Sequence, residues 1–279
     1  MRYVIGMLIA LFIALTGVGA GTITVPVLVL FLGVPASEAV AIGLMFSSAV
    51  KLILVPAQIV RGNIAWRTLG FMVLGGLPGV LIGSLLLKSL VNSGSVNLLN
   101  GILGAFLVIT AAWQLVFSFR PLKRDLARRD RSPILPWLMF PVGAEVGFSS
   151  AGAGALGSAA LLSLTPLEPA QVVGTDIAFG FALSLLGSGA HWSSGGTDTA
   201  LLFELVAGGI VGALGGVIVS TRIPRRPLRI ALWTWLLVLG CQFLFQSYRV
   251  EISGLHPSKS ESGPTPNSRD TNVGGLKVR

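Results

Sequence analysis

The sequence predicts an all-α, polytopic integral membrane protein made of two homologous halves, and three observations carry that prediction. Only 11% of the 279 residues are charged and 53% are hydrophobic, with a mean hydropathy of +0.82; soluble domains carry about 25% charged residues. Apolar segments can be marked at 4–34, 36–60, 65–88, 95–118, 134–165, 168–191, 199–221 and 227–248. Most have the roughly 20 residues that a helix needs to span hydrocarbon. None shows the short alternating strands of an outer-membrane barrel. These eight segments fall into two sets of four that match one another.

The match is read from spaced small residues. Gly19-Ala20-Gly21 corresponds to Gly152-Ala153-Gly154. Pro35, Ala39 and Gly43 correspond to Pro166, Ala170 and Gly174, and Gly75-Gly76, Gly79 and Gly83 to Gly208-Gly209, Gly212 and Gly216. The offset is 133, then 131, then 133 residues, a near-constant period with small insertions that marks an internal duplication. The expected organisation is a first membrane repeat over 1–118, a basic cytoplasmic linker over 119–133, a second repeat over 134–248 and a disordered tail over 249–279. That tail is rich in Ser, Pro, Gly and Asn, with little to bury.

The first segment of each repeat is too long for one simple helix, and each carries a glycine-rich break. The first runs Gly17-Val18-Gly19-Ala20-Gly21-Thr22-Ile23-Thr24-Val25-Pro26, and its echo is Ser149-Ser150-Ala151-Gly152-Ala153-Gly154. Inside a bilayer, irregular backbone survives only where protein or a water-lined cavity satisfies its polar groups. Matched breaks in two halves of a membrane protein point to a binding site near the midplane. A helix that begins after such a break directs unpaired N–H groups and a positive dipole end into the cavity, which suits an anion. Gly19, Gly21, Thr22, Thr24, Ser149, Ser150, Gly152 and Gly154 are the candidate binding residues at the breaks, the hydroxyls being expected to complement freed amides.

Orientation has two solutions. The loop 119–133 holds Arg120, Lys123, Arg124, Arg128, Arg129 and Arg131, which places it in the cytoplasm. If every segment crosses once, both termini are cytoplasmic and Arg222, Arg225, Arg226 and Arg229 fall outside. If 4–34 and 134–165 are re-entrant helical hairpins, each half crosses three times, the halves are inverted, and the second Arg cluster moves inside. The second solution is preferred, with both termini outside.

Intramembrane charge marks the remaining candidates. Lys51 stands in the middle of segment 36–60, near Ser47 and Ser48, where a lysine costs about 2.5–3.5 kcal/mol on insertion scales. It must face protein or water, as a fixed positive charge for an anion or as the partner of Asp176 or Glu145. Ser47, Lys51 and Thr175 join the candidate binding residues. Asp176, Glu145 and His191 are the candidates for carrying a coupled proton, with a helix-capping role as the competing reading of Asp176.

Several function classes are excluded. The net charge of +9 resides mainly in short loops and the tail, the pattern of the positive-inside bias rather than of nucleic-acid binding. Cys241 is the single cysteine, and with only His191 and His256 as imidazoles no metal or cofactor site is expected. Residues 2–21 have the outline of a signal peptide, but a similar stretch recurs near 143–165, so they are assigned to mature structure. The partners expected are membrane lipid and a small anion, and the sequence is compatible with a homo-oligomer.

At this point the motifs have a family likeness. Gly17-x-Gly19-x-Gly21 running to Pro26, Gly33-Val34-Pro35, Arg61-Gly62-Asn63-Ile64-Ala65-Trp66 and Gly75-Gly76-Leu77-Pro78-Gly79-Val80-Leu81-Ile82-Gly83 are followed in the second half by their own counterparts. These are Ser150-Ala151-Gly152-Ala153-Gly154, Val173-Gly174-Thr175-Asp176, His191 and Gly208 to Gly216. Over about residues 5–248 the chain resembles the TauE/SafE family. The resemblance implies a multi-pass transporter of the cytoplasmic membrane that exports small anions, sulfite or organosulfonates above all. Ala20 interrupts the family's glycine triplet, and the second copy of its Gly-Asn-x-x-Trp loop is degraded to Gly195-Gly196-Thr197-Asp198. The competing expectation is an intramembrane serine hydrolase that uses Ser149 or Ser150 with His191, on the faint outline of a nucleophile elbow at Gly147–Ala151.

Overall fold

A computed structural model describes residues 1–16, 19–94, 96–119, 130–192, 198–219, 230–242 and 244–245. Gly17 and Val18 of the first break, the basic residues of 120–129, Arg222 to Arg229, the Gly195–Thr197 stretch and the tail 249–279 lie outside the described residues. Among those described the fold is wholly helical, without a strand. Ten α-helices are present: α1 (Arg2–Thr16), α2 (Ala20–Leu32), α3 (Ala36–Val60), α4 (Trp66–Asn92), α5 (Val96–Phe119), α6 (Leu135–Ser149), α7 (Ala153–Leu164), α8 (Pro169–Trp192), α9 (Thr199–Val219) and α10 (Ile230–Gln242). A 3₁₀ turn, Ser132–Ile134, leads into α6.

Length separates the helices into two kinds. Those of α3, α4, α5, α8 and α9 are long and apolar enough to cross a membrane. By contrast α1, α2, α6 and α7 have 15, 13, 15 and 12 residues. At 1.5 Å per residue these reach only about 18–23 Å, short of a hydrocarbon core of about 30 Å.

The short helices form hairpins. The Arg131 amide, just before α6, donates to the Leu164 carbonyl at the end of α7 at 3.0 Å, so the chain returns to the level at which it entered. Leu138 and Val142 of α6 share a cleft with Ala160 and Ser163 of α7. In the same manner Ile5, Leu8 and Phe12 of α1 share one with Ile23, Val27 and Phe31 of α2. The turn of the second hairpin is made by Ser150 at φ +61 and Gly152 at φ +90.

Glycine permits the closest packing. Methyl groups added at Gly75, Gly79 and Gly83 of α4 would overlap the carbonyls of Pro136, Phe140 and Ala144 on α6. Those added at Gly208 and Gly212 of α9 would overlap the carbonyls of Tyr3 and Met7 on α1. The fully buried rings of Phe179 and Phe46 lie 2.6 Å from the positions such methyls would take at Gly76 and Gly209. Without a hydrophobic drive between helices in lipid, backbone approach of this kind supplies the association energy through van der Waals contact. Each hairpin thus leans its first helix on a spanning helix of the other half. The outer surface is apolar, with Leu74, Leu85, Ile109 and Val211 all more than half exposed.

Replacing Gly79 by Leu is expected to destabilise the protein by roughly 1–3 kcal/mol or more, because backbone rather than a movable side chain blocks the new group. Gly70, which faces open space, is the control: Gly70→Ala should be neutral or stabilising by up to about 1 kcal/mol. Thermal unfolding of the detergent-solubilised variants, followed by tryptophan fluorescence, measures both. Equal melting temperatures for the two would contradict the packing described.

Candidate functional site

The two hairpin tips meet. Ser150, the non-glycine residue in the left-handed region, packs against Gly21 at the start of α2 and against Gly43 on α3. A methyl at Gly21 would overlap the Ser150 backbone and hydroxyl, and one at Gly43 would lie 3.0 Å from Ser150 Oγ. Ser150 is 5% exposed and its hydroxyl has no partner among the described residues. A small cavity lined by Gly21, Val25, Pro26, Leu103, Leu107, Ser149 and Ala151 occupies the same junction.

Both returning helices start without a side-chain cap. The N-cap of α2 is Gly19 and that of α7 is Gly152, and neither offers a hydrogen-bonding side chain. The first-turn amides therefore depend on whatever else lies at the tip. The serines and threonines divide here. Ser149 does complement a freed amide: its oxygen accepts from Ala151 N–H at 3.2 Å while its hydroxyl donates to the Glu145 carbonyl at 2.9 Å. The buried Thr22 and Thr24 turn back on their own helix, donating to the carbonyls of Gly19 and Ala20. Such back-bonding is a common habit of helical threonine; it engages the hydroxyl hydrogen, and the oxygen can still accept from an amide, as that of Ser149 does.

From the tip a polar stripe runs along α3. Gly43, Ser47 and Lys51 follow at four-residue intervals and so share one side of the helix, with about 12 Å from Gly43 to Lys51 along the axis. Ser47 is 3% and Lys51 6% exposed. The negative charge of Asp176 acts on the Lys51 ammonium. Asp176 itself belongs to α8, which begins at Pro169, so it stands in the third turn and does not cap the helix. It lies against Gly157 of α7, and the Ser158 hydroxyl donates to its Oδ2 at 2.6 Å with the Gly154 carbonyl 2.9 Å away. Glu145 reaches the N-cap of the same short helix, one turn earlier: Oε1 accepts from the Thr110 hydroxyl, and Oε2 packs against Gly152.

Two candidates fall elsewhere. The fully buried Thr175 accepts from the Ala65 amide at 3.0 Å and ties α8 to the turn between α3 and α4. His191 lies fifteen residues beyond Asp176 on α8, about 22 Å along the axis, and its Nδ1 donates to the Gly187 carbonyl at 2.9 Å. Neither Ser149 nor Ser150 is hydrogen-bonded to His191 among the described residues, so the nucleophile–base pair that a hydrolase needs is not supported. Ser158 and Thr110 are the neighbours that sequence reasoning missed, and Gly43, noted as a repeat marker, was not assigned to the tip. A threonine in the middle of an apolar segment was the one visible signal among them.

The tip geometry sets a prediction. Ser150→Gly removes a hydroxyl without a partner and suits the left-handed backbone, so it should leave the melting temperature unchanged or raise it. Gly21→Val, which has no room beside Ser150, should lower it by an amount equivalent to roughly 1–3 kcal/mol. The opposite ranking in thermal unfolding would contradict the contact between the tips.

Comparison with known proteins agrees on the class. The family model described as sulfite exporter TauE/SafE matches residues 3–243. The probable membrane transporter protein YjnA of Bacillus subtilis (strain 168) is 30% identical over 247 residues, which cover 86% of this chain and 97% of that protein. No solved structure matches the chain.

Proposed function

The chain belongs to the sulfite exporter TauE/SafE family of multi-pass membrane transporters, and from that premise we propose that it exports a small anion, sulfite or an organosulfonate, across the cytoplasmic membrane. The substrate is held near the midplane, between the starts of α2 and α7. The observation that carries this reading is the meeting of two uncapped helix starts at Ser150, Gly21 and Gly43, with Lys51 buried on the same side of α3. Backbone amides at Gly19, Gly21, Gly152 and Gly154 and the hydroxyls of Ser149 and Ser150 supply donors. Ser47 and Lys51 continue the path as a polar contact and a fixed charge, and Thr175 keeps α8 in place. Thr22 and Thr24 contribute by rigidifying the start of α2.

The two-repeat organisation, 1–118 and 134–248 about the basic linker 119–133, belongs to the same proposal. It draws support from the exchange of partners between halves: Gly75 meets Pro136 and Gly208 meets Tyr3, while Gly76 meets Phe179 and Gly209 meets Phe46. Hairpins that do not cross give each half three crossings and make the repeats inverted, the arrangement in which broken helices from both halves reach a common site. The linker is then cytoplasmic and both termini are outside. For export, a negative interior contributes about 2.3 kcal/mol per 100 mV to each negative charge that leaves.

Lys51→Ala is expected to lower anion efflux at least tenfold while the protein stays monodisperse. The assay is efflux from reconstituted liposomes loaded with sulfite, thiosulfate, methanesulfonate or sulfate, with thermal stabilisation by the same anions as a second readout. Wild-type flux in the variant would remove Lys51 from the site, and failure of every anion to move would overturn the transporter reading for this class of cargo.

A further inference from the structure

Glu145 occupies a place that the first hairpin fills with Phe12, 133 residues earlier. It is 6% exposed. One carboxylate oxygen accepts from Thr110 on α5. The other lies behind Gly152, where a methyl group would come within 2.7 Å of Oε2 and displace the carboxylate; the backbone at φ +90 favours glycine there. The positive end of α7 thus has a carboxylate at its N-cap, by packing and not by a capping hydrogen bond. Ser150, buried with an unpartnered hydroxyl two residues before that N-cap, faces the opposite hairpin. The tip therefore carries a buried hydroxyl without a partner among the described residues, two residues before an N-cap that a carboxylate already packs against.

The electrostatic surroundings of Glu145 are sparse. Among the helices packed on α6, the titratable groups are Arg67 and Lys88 of α4 and Asp176 and His191 of α8, while α2, α5 and α7 carry none. Among the described residues none of these four forms an ion pair with Glu145, whose hydrogen-bond partner is the Thr110 hydroxyl.

We propose that Glu145 is the resident counter-anion of the α7 N-terminus, and that binding of the transported anion at the hairpin tips places a proton on its carboxylate. The inference rests on the anion-transporter reading above. Two negative charges at one helix end repel strongly where water is excluded. The arriving anion takes over the amides, one proton from solution joins a Glu145 oxygen, and the total charge of the tip is unchanged. The neutral carboxyl keeps its contact with Thr110, whose oxygen then accepts or donates as needed. Linkage requires that affinity for the anion fall as pH rises, by up to about tenfold per pH unit once the carboxylate is ionised.

Methanesulfonate, which keeps its charge across the accessible pH range, is the probe. Calorimetric titration of the purified protein in two buffers of different ionisation enthalpy, at a pH on the falling limb of the affinity where the free carboxylate is ionised, should show close to one proton taken up per anion bound. Glu145→Gln should bind methanesulfonate with no proton uptake and with an affinity that does not change with pH. Thr110→Val, which retains the carboxyl but removes its donor, should extend binding towards higher pH and guards against a Gln variant that fails to fold. Binding without proton uptake in the wild-type protein, or uptake that persists in Glu145→Gln, would overturn this inference alone. Absence of both binding and flux of methanesulfonate in the wild-type protein would count against the sulfonate-transporter reading and take this inference with it.

Discussion

A lipid interior has no water to complete a broken helix, and the rest of this fold follows from that constraint. Where α1 gives way to α2, and α6 to α7, several backbone amides lose their helical partners. The second break is closed locally by Ser149, which accepts from Ala151, and is left open at Ser150, whose hydroxyl has no partner among the described residues. Such a place is stable only if protein surrounds it. The glycine contacts of α4 with α6 and of α9 with α1 provide that enclosure, because they let each hairpin press against a spanning helix at backbone distance. Packing of small residues, costly in water for its lack of buried area, here holds an irregular segment inside the membrane.

Charge is arranged on the same principle. A lysine, an aspartate and a glutamate within membrane helices would each be expensive alone. In this protein Lys51 feels Asp176 across α3 and α8, Asp176 is held by Ser158, and Glu145 is held by Thr110 and set against the start of α7. The short helix α7 is the common element: Glu145 lies at its N-cap and Asp176 beside its second turn.

Much of this was legible in the residues, and the gaps have physical reasons. Low charge and long apolar runs settled the helical membrane class, and the depth of Lys51 marked it as buried against protein. The hairpins were left as one of two topologies, since the bond that closes the second, Arg131 to Leu164, is between backbone groups and has no sequence signature. The carbonyl partners of Thr22 and Thr24 were not legible, because a hydroxyl near a helix start can serve a free amide, a carbonyl behind it, or both, and the two donations seen here go to carbonyls. Asp176 resembled a cap only because Pro169, the true start of α8, lies two turns earlier. Ser158 was invisible among Ala and Gly, and its role depends entirely on which face of α7 meets α8. His191 shares a helix with Asp176 but not a site, a separation that follows from counting turns.

The central claim is that an anion is held by amide hydrogens where the two hairpin tips meet. An experimental structure determined with selenite, the selenium counterpart of sulfite, would locate that anion by its anomalous scattering. The account predicts a single strong peak between the starts of α2 and α7, within hydrogen-bond distance of the first-turn amides and of Ser150 Oγ. A peak at the membrane surface, or hairpin tips closed on themselves with no anion between them, would contradict it.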